Sequence, residues 1–149
     1  MKFKDNASPV GTLTVKIFNA ITGELLEEWT AKNLIVNSGK SGMAHLLGEG
    51  GAYTDKKVYR IAFGTDGSDP TPADTAITGA YTKVLNSVTY PDDTSVLFTW
   101  SLAAAENNGM NIREFGLLTV DSTLYSRRTR AVNPKDSSLR LEGSWKIQF

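Results

Sequence analysis

Residues 138–149 read SLRLEGSWKIQF, and this stretch carries the strongest signal for the fold. Apolar residues occupy every second position, and mostly charged or polar residues stand between them. This alternation is typical of a β-strand with one buried face and one solvent face. The residues predicted to point inward are Leu139, Leu141, Gly143, Trp145, Ile147 and Phe149. A buried Phe149 would tie the end of this strand to the domain.

The same alternation recurs along the chain. Clear strands are predicted in TLTVKIF (12–18) and SVLFTWSL (95–102), a less regular one in YTKVLNSVTY (81–90), and shorter ones in KVYRIAF (57–63), IREFGLL (112–118) and TLYSRRTRAV (123–132). TLTVKIF is followed by NAITGELLEEW (19–29), and Thr22-Gly23 supplies the turn residues of a hairpin formed by these two runs.

One segment has the pattern of a helix, NSGKSGMAHLLGEGG (37–51). Ser38 or Ser41 can cap it, and Gly48 is predicted to end it. Met43, Leu46 and Leu47 are expected to share one apolar face of it.

Many short strands and one short helix predict an all-β fold, mainly antiparallel, either a β-sandwich or a jelly roll. The 149 residues are enough for one domain, assigned to residues 10–149, with residues 1–9 as an N-terminal arm. Charged residues balance at 16 basic and 16 acidic, which does not favour nucleic acid or anionic lipid as a partner. No apolar run approaches the ~18 residues of a membrane span, and the absence of cysteine fits folding in a reducing cytosol.

The loop FGTDGSDPTPADTAI (63–77) holds three carboxylates that could bind calcium, Asp66, Asp69 and Asp74. Its spacing differs from that of known calcium loops, and Pro70 and Pro72 limit how tightly it can wrap an ion. The alternatives are a structural loop, which the turn-forming residues favour, and a contact with a partner. The prediction is therefore no metal site, with these three residues as weak calcium candidates.

No catalytic residue and no cofactor are predicted. A single histidine, His45, lies in the predicted helix beside leucines, which does not favour a catalytic triad. Glu106 and Glu114 could form a glycosidase-like pair, but the sequence does not determine whether the two carboxylates face each other. A structural ion pair between Glu114 and Arg127 or Arg128 is the favoured alternative.

Two further surfaces are considered for binding. Arg127, Arg128 and Arg130 form a basic cluster, but a strand would divide it between two faces, so a solvated face or a protein contact is favoured over nucleic acid. The aromatic residues that could stack on sugar rings are Trp29, Tyr53, Tyr59, Tyr81 and Tyr90.

A series of short motifs follows in a set order over residues 32–149. It runs from NLIVN through FGT, DTA, E.NG, I.E.GL and L..R to the terminal W.I.F. The residues concerned are 33–37, 63–65, 74–76, Glu106, Asn108, Gly109, Ile112, Glu114, Gly116, Leu117, Leu124, Arg127 and 145–149. This succession resembles that of small bacteriophage structural proteins of the tail-fibre or baseplate-associated type.

The resemblance implies a virion protein without enzymatic activity, made in the cytoplasm of a bacterial host. Its expected partners are other virion proteins and further copies of the same chain. The hairpin at residues 10–31 lies outside the recognised part, and no long fibre repeat is present. A compact adaptor or assembly module is therefore expected, with a capsid decoration (cement) protein and a receptor module for a host-surface glycan as alternatives.

Overall fold

β1 (Val10–Asn19) and β2 (Leu25–Ile35) form the first hairpin in this computed structural model, which describes residues 9–149. They pair antiparallel, and the turn between them holds Gly23 at φ 75°, where glycine has no steric penalty. The hairpin predicted around this glycine is confirmed. Apart from its last residue, the predicted N-terminal arm lies outside the described residues.

The other elements follow in chain order. They are α1 (Asn37–Glu49), a 3-10 turn (Thr54–Lys56), β3 (Val58–Gly64), β4 (Tyr81–Val84), β5 (Ser87–Thr89), β6 (Ser95–Leu102), β7 (Asn111–Thr119), β8 (Leu124–Pro134) and β9 (Leu139–Gln148). The strand pairings within the described residues are all antiparallel. The predicted all-β class with one short helix is confirmed.

The strands form one curled sheet in the order β4-β3-β7-β8-β2-β1-β9-β6-β5. β2 belongs to both halves of it. Its residues 25–33 pair with β1, whereas Leu34 and Ile35 pair with Arg127 and Ser126 of β8. We call β5-β6-β9-β1 with the first part of β2 the first half-sheet, and the end of β2 with β8-β7-β3-β4 the second half-sheet.

The core lies between the two half-sheets, which face each other as the layers of a sandwich. Phe63 of the second half-sheet meets Trp100 of the first edge-to-face, with ring centroids 5.3 Å apart. The alternation that predicts β9 is reproduced, since Leu141, Trp145 and Ile147 are buried. Burial of such side chains supplies most of the driving force for folding.

Phe149 departs from the prediction, because it is 58% exposed. β9 ends at Gln148, and the Phe149 N–H donates to the Thr94 carbonyl at 2.9 Å, one position beyond the last residue pair of β9 and β6. Its side chain therefore lies at the rim of the sandwich rather than between its layers.

The start and end of α1 differ from the prediction. Val36 precedes the helix and no side chain caps it. The Ser38 hydroxyl instead donates to the Leu124 carbonyl of β8 at 2.6 Å, so a tertiary contact takes the group that could have capped. The helix also continues through Gly48 to Glu49.

The apolar face predicted for α1 is only partly the face that packs on the sheet. The two buried helix residues are Gly39 and Gly42, and Met43 packs against the core. Leu47 is 90% exposed because it lies beyond the edge of this stripe in the 3.6-residue period. Within residues 9–149, no helix is long and apolar enough to cross a bilayer.

Candidate functional site

The loop between β3 and β4, residues 65–80, covers the outer side of the second half-sheet. Ile77 from this loop packs in a second apolar cluster with Val36, Ala62, Leu118 and Leu124. Because both of its faces are covered, β7 is buried almost throughout. The loop is thus part of the framework of the fold.

A buried arginine fastens this loop to the sheet. Arg127 Nε donates to Glu114 Oε2 at 2.7 Å, and its Nη1 donates to Asp74 Oδ2 at 2.9 Å. Its Nη2 donates to the Asp66 carbonyl at 3.0 Å and lies 3.6 Å from that residue's carboxylate. We call these four residues the Arg127 cluster. One guanidinium therefore joins β8, β7 and two points of the loop.

Glu114 is fully buried and also accepts hydrogen bonds from the loop backbone. The Thr78 N–H donates to its Oε1 at 2.7 Å, and the Asp66 N–H donates at 3.3 Å. A buried carboxylate is stable only when paired and hydrogen-bonded, and both conditions are met here. The structure thus brings together Glu114 and Arg127, the two residues of the ion pair suggested by the sequence.

The three weak calcium candidates are not gathered around one point. Asp66 and Asp74 face the Arg127 guanidinium, whereas Asp69 is absent from the ion pairs among residues 9–149. No group of three or more histidine, cysteine, aspartate or glutamate side chains in that range is arranged to hold a metal ion. The cation beside Asp66 and Asp74 is the guanidinium of Arg127.

Hydrogen bonds keep both loop carboxylates ionised. The Thr71 backbone N–H holds the pKa of Asp74 below its usual 3.8, and the Thr71 hydroxyl and Arg127 act in the same direction against partial burial. The Ser68 backbone N–H, its side chain and Arg127 lower the pKa of Asp66 in the same way. These groups are placed as acceptors rather than as proton donors.

Glu106, the other candidate catalytic carboxylate, lies in a separate cluster. Lys83 Nζ donates to its Oε1 at 2.8 Å, and Tyr81 Oη donates to its Oε2 at 3.2 Å. Burial acts to raise the pKa of Glu106, but Lys83 and the Ala103 backbone N–H outweigh burial and lower it. Glu106 and Glu114 each contact a different cation, an arrangement unlike a carboxylate pair that shares a substrate.

His45 lies on the exposed side of α1. Its Nδ1 is 2.7 Å from the Ser41 carbonyl of the same helix, and its ring packs edge-on against Tyr53 with centroids 4.6 Å apart. No serine hydroxyl or carboxylate is hydrogen-bonded to its ring in the described part of the chain. This geometry matches the surface role favoured by the sequence.

The basic cluster is divided as the strand pattern predicts, and Arg128 and Arg130, which are partly buried, fill a gap in the sheet. Beyond Arg127, β8 diverges from the first part of β2. Arg128 and Arg130 lie over the Trp29 ring at 5.6 and 5.3 Å from its centroid, and Arg130 pairs with Glu27. We call this gap the closed seam, because arginine and tryptophan side chains fill it.

A groove of about 680 Å³ opens at the opposite side, between the two half-sheets and α1. We call it the apolar groove. It is lined by Met43, Leu46, Lys56, Lys57, Val58, Tyr59, Val88, Tyr90, Val96, Phe98, Val120, Tyr125, Ile147 and Phe149. Twelve of these fourteen side chains are apolar or aromatic, and the two charged ones are both lysines. Exposed apolar surface concentrated in one place is typical of a binding surface.

The candidate sugar-stacking residues occupy different environments. Trp29 is covered by arginines, Tyr53 packs against His45, and Tyr81 is bonded to Glu106. Tyr59 and Tyr90 lie in the apolar groove, 41% and 75% exposed. Only these two of the five present exposed rings in a concave surface.

Sequence reasoning missed the apolar groove and a buried lysine. Lys135 is 2% exposed, and its Nζ donates to the carbonyls of Ala104 and Asp136 and to Asn108 Oδ1. Burial lowers the pKa of Lys135. A lysine in a polar turn gives no signal of burial, and the groove residues come from segments too far apart in sequence to form a motif.

No known protein family, no curated protein and no solved structure matches this chain.

Proposed function

We propose that this protein is a non-enzymatic structural module of a bacteriophage virion, an assembly or adaptor component associated with the tail fibre or baseplate. The observation that carries the proposal is the apolar groove, which exposes aromatic and aliphatic side chains where the sandwich is open. An exposed patch of this kind suits contact with another protein.

The positions of the motif residues support a structural role. Arg127, Glu114 and Asp74 form one cluster, and Glu106 belongs to another. Trp145 Nε1 donates to Asn33 Oδ1 at 2.8 Å, joining the first and last motifs of the series. The residues that carry the phage resemblance therefore hold the framework together, as expected where a common fold rather than a common reaction is shared.

The carboxylates considered for catalysis support the absence of an enzymatic role. Glu114 is enclosed by Arg127 and loop N–H groups, and Glu106 by Lys83 and Tyr81. A general acid needs a raised pKa and access to substrate, and Glu106 has a lowered one.

The test is to locate the chain on particles of the phage that encodes it, by immunogold labelling and electron microscopy. We expect label at the tail or baseplate. Label over the head would instead favour the decoration protein, and purified particles that lack the chain would refute a virion role.

A matched pair of variants tests the groove in the same particles. Val88 and Val132 are the same residue type and are 46% and 45% exposed, but only Val88 lines the groove. We expect Val88→Lys to reduce incorporation into particles and Val132→Lys to leave it unchanged. Equal incorporation of both variants would show that the groove is not the assembly surface.

The proposal includes a homo-oligomer, because virion assemblies are built on rotational symmetry. Light scattering after size-exclusion chromatography should give a multiple of the 16.2 kDa chain mass. A monomer at high concentration would remove self-assembly from the proposal and leave an adaptor that orders on its partner.

A glycan receptor module is the second candidate, favoured by the exposed rings of Tyr59 and Tyr90. Apolar ring faces can stack on sugars. A glycan array with the wild-type protein and a Tyr90→Ser variant tests it. Hits lost in the variant would support this role, and an array without hits would reject it.

A further inference from the structure

The two half-sheets diverge at two places. Side chains fill the space at one of them, and a groove remains at the other. At the closed seam, Arg128 and Arg130 fill the space between β2 and β8 over the Trp29 ring. At the other place, residues 81–90 pass from the second half-sheet to the first, and the apolar groove opens beside them. We call this the open seam.

The strand pairings explain why a groove that narrows toward the core, here called the wedge, lies at the open seam. β4 pairs with β3 only over residues 60–63, and the Leu85 N–H donates to the Tyr59 carbonyl as the chain leaves that strand. The chain then joins β6, where β5 pairs over residues 87–89. Val58 and Tyr59 of β3 extend past the end of β4. At the other end of the sheet, β5 is the edge strand among the described residues. The start of β3 and the outer edge of β5 therefore border the groove without a strand between them.

The floor of the wedge is apolar and deep. Phe98 and Ile147 line it and are 6% and 1% exposed, whereas Val88 and Tyr90 at the rim are 46% and 75% exposed. A flat surface would meet the rim before it reached this floor. A narrow, extended segment could enter the groove with alternate side chains and keep its main-chain groups beside β5.

The charge at one end of the groove is also asymmetric. Lys56 is paired with Asp121 at 2.5 Å, so its charge is balanced. Lys57 lines the groove, is exposed, and makes no ion pair with any residue in the range 9–149. Since no acidic side chain from residues 9–149 lines the groove, a carboxylate on the bound segment would complement Lys57.

We propose that the open seam binds an extended segment of another protein, which lies along the outer edge of β5, points alternate apolar side chains into the groove beside Val88, and brings a carboxylate to Lys57. The inference rests on the proposed function, since it names the kind of partner that the groove takes. Edge strands bind such segments through main-chain hydrogen bonds, and pockets for alternate side chains add specificity. An acyl chain could fill the groove but has no amide groups to bond β5.

The experiment is selection from a displayed library of random 12-residue peptides on the immobilised full-length protein. We expect enriched peptides with apolar residues at every second position and an aspartate or glutamate near one end. Their synthetic forms should bind Val88→Lys at least about tenfold more weakly, because the change puts a charge at an apolar contact. Tyr90→Ser serves as a second groove variant, and Val132→Lys as the matched control that should bind as wild type.

A charge exchange tests the role of Lys57. Lys57→Glu should weaken binding of the acidic peptides several-fold, and a peptide with lysine in place of its acidic residue should recover binding to this variant. Chemical denaturation of each variant checks that it is folded.

Three results would overturn the inference. They are a library without enrichment, enriched peptides whose binding survives both groove substitutions, and an oligomer of the wild type that Val88→Lys dissociates. The last result would assign the groove to a second copy of the chain. If the peptides bind but the protein is absent from purified particles, the virion proposal is refuted and this inference stands.

Discussion

Arg127 is the residue on which the framework of the second half-sheet depends most directly. It is 2% exposed and contacts Glu114, Asp74 and the Asp66 backbone. Its positive charge is stable inside the protein because carboxylates and a carbonyl surround it. The cost of removing it comes mainly from what it leaves behind, since Glu114 would remain buried without its cation.

We predict that Arg127→Leu lowers the free energy of unfolding by about 3–5 kcal/mol, the range for breaking a buried ion pair. Glu114→Gln in the same chain should restore part of this loss. A glutamine is neutral but keeps an oxygen for the Thr78 and Asp66 N–H groups. Urea denaturation of wild type, both single variants and the double variant measures the coupling. Additive losses would mean that the pair is not coupled.

The lowered pKa of Asp74 predicts that the stability of the protein depends on pH. Its pKa is lowered in the folded state, so the unfolded chain takes up a proton at a pH where the folded one does not. The stabilising contribution is therefore present above the ordinary pKa of 3.8 and is lost as the pH falls below it. We expect the free energy of unfolding to fall from pH 5 toward pH 2, and less steeply in Asp74→Asn. Parallel curves for the two proteins would contradict this assignment.

At the scale of elements, α1 shows how a helix can dock through glycines. Gly39 is buried, and a Cβ there would overlap the backbone carbonyl of Tyr125, which cannot move without disturbing β8. Gly48 lies in the same helix with nothing within 4 Å of an added Cβ. One glycine allows close approach to the sheet, and the other only costs conformational entropy.

These two positions form a matched pair of substitutions. Gly39→Ala should destabilise the protein by about 1–3 kcal/mol, the usual cost of overpacking. Gly48→Ala should stabilise it by roughly 0.5–1 kcal/mol through helix propensity. Thermal or urea denaturation checks both. A neutral Gly39→Ala would show that α1 can move away from β8 at little cost.

At the scale of the whole molecule, the two half-sheets are also tied together near the open seam. Lys83 of β4 donates to the Ser101 carbonyl of β6 at 2.9 Å and to Glu106 at 2.8 Å. The N–H groups of Leu85 and Asn86 then bond to β3 and β6. Lys83 therefore holds the crossing segment in place beside the groove.

We predict that Lys83→Met speeds hydrogen exchange at Leu85 and Asn86 about fivefold, as expected for a loss of about 1 kcal/mol. Lys56→Met is the control, because its ion pair with Asp121 is half-buried to a similar extent, with side chains 26% and 26% exposed against 23% and 26%. That variant should leave these two amides unchanged. Equal acceleration in both variants would indicate a general loss of stability instead.

The strands and their inward faces were predictable from local pattern. The alternation in SLRLEGSWKIQF places Leu141, Trp145 and Ile147 inward, and the structure buries all three. Period two depends only on the geometry of an extended chain, so it can be recognised in one sequence. Phe149 and Leu47 fit a local pattern and are nonetheless exposed, because Phe149 follows the end of β9 and Leu47 lies beyond the stripe of α1 that packs on the sheet.

The sequence by itself determined the all-β class, most strands, the hairpin at Gly23 and the turn-rich character of the loop at residues 65–80. Only the tertiary structure decided that Arg127 gathers Glu114, Asp66 and Asp74, that one seam is filled and that the other is open. The physical reason is the range of the interactions. Strand periodicity and turn chemistry act between near neighbours in the chain, whereas ion pairs and grooves join residues that only the curling of the sheet brings together.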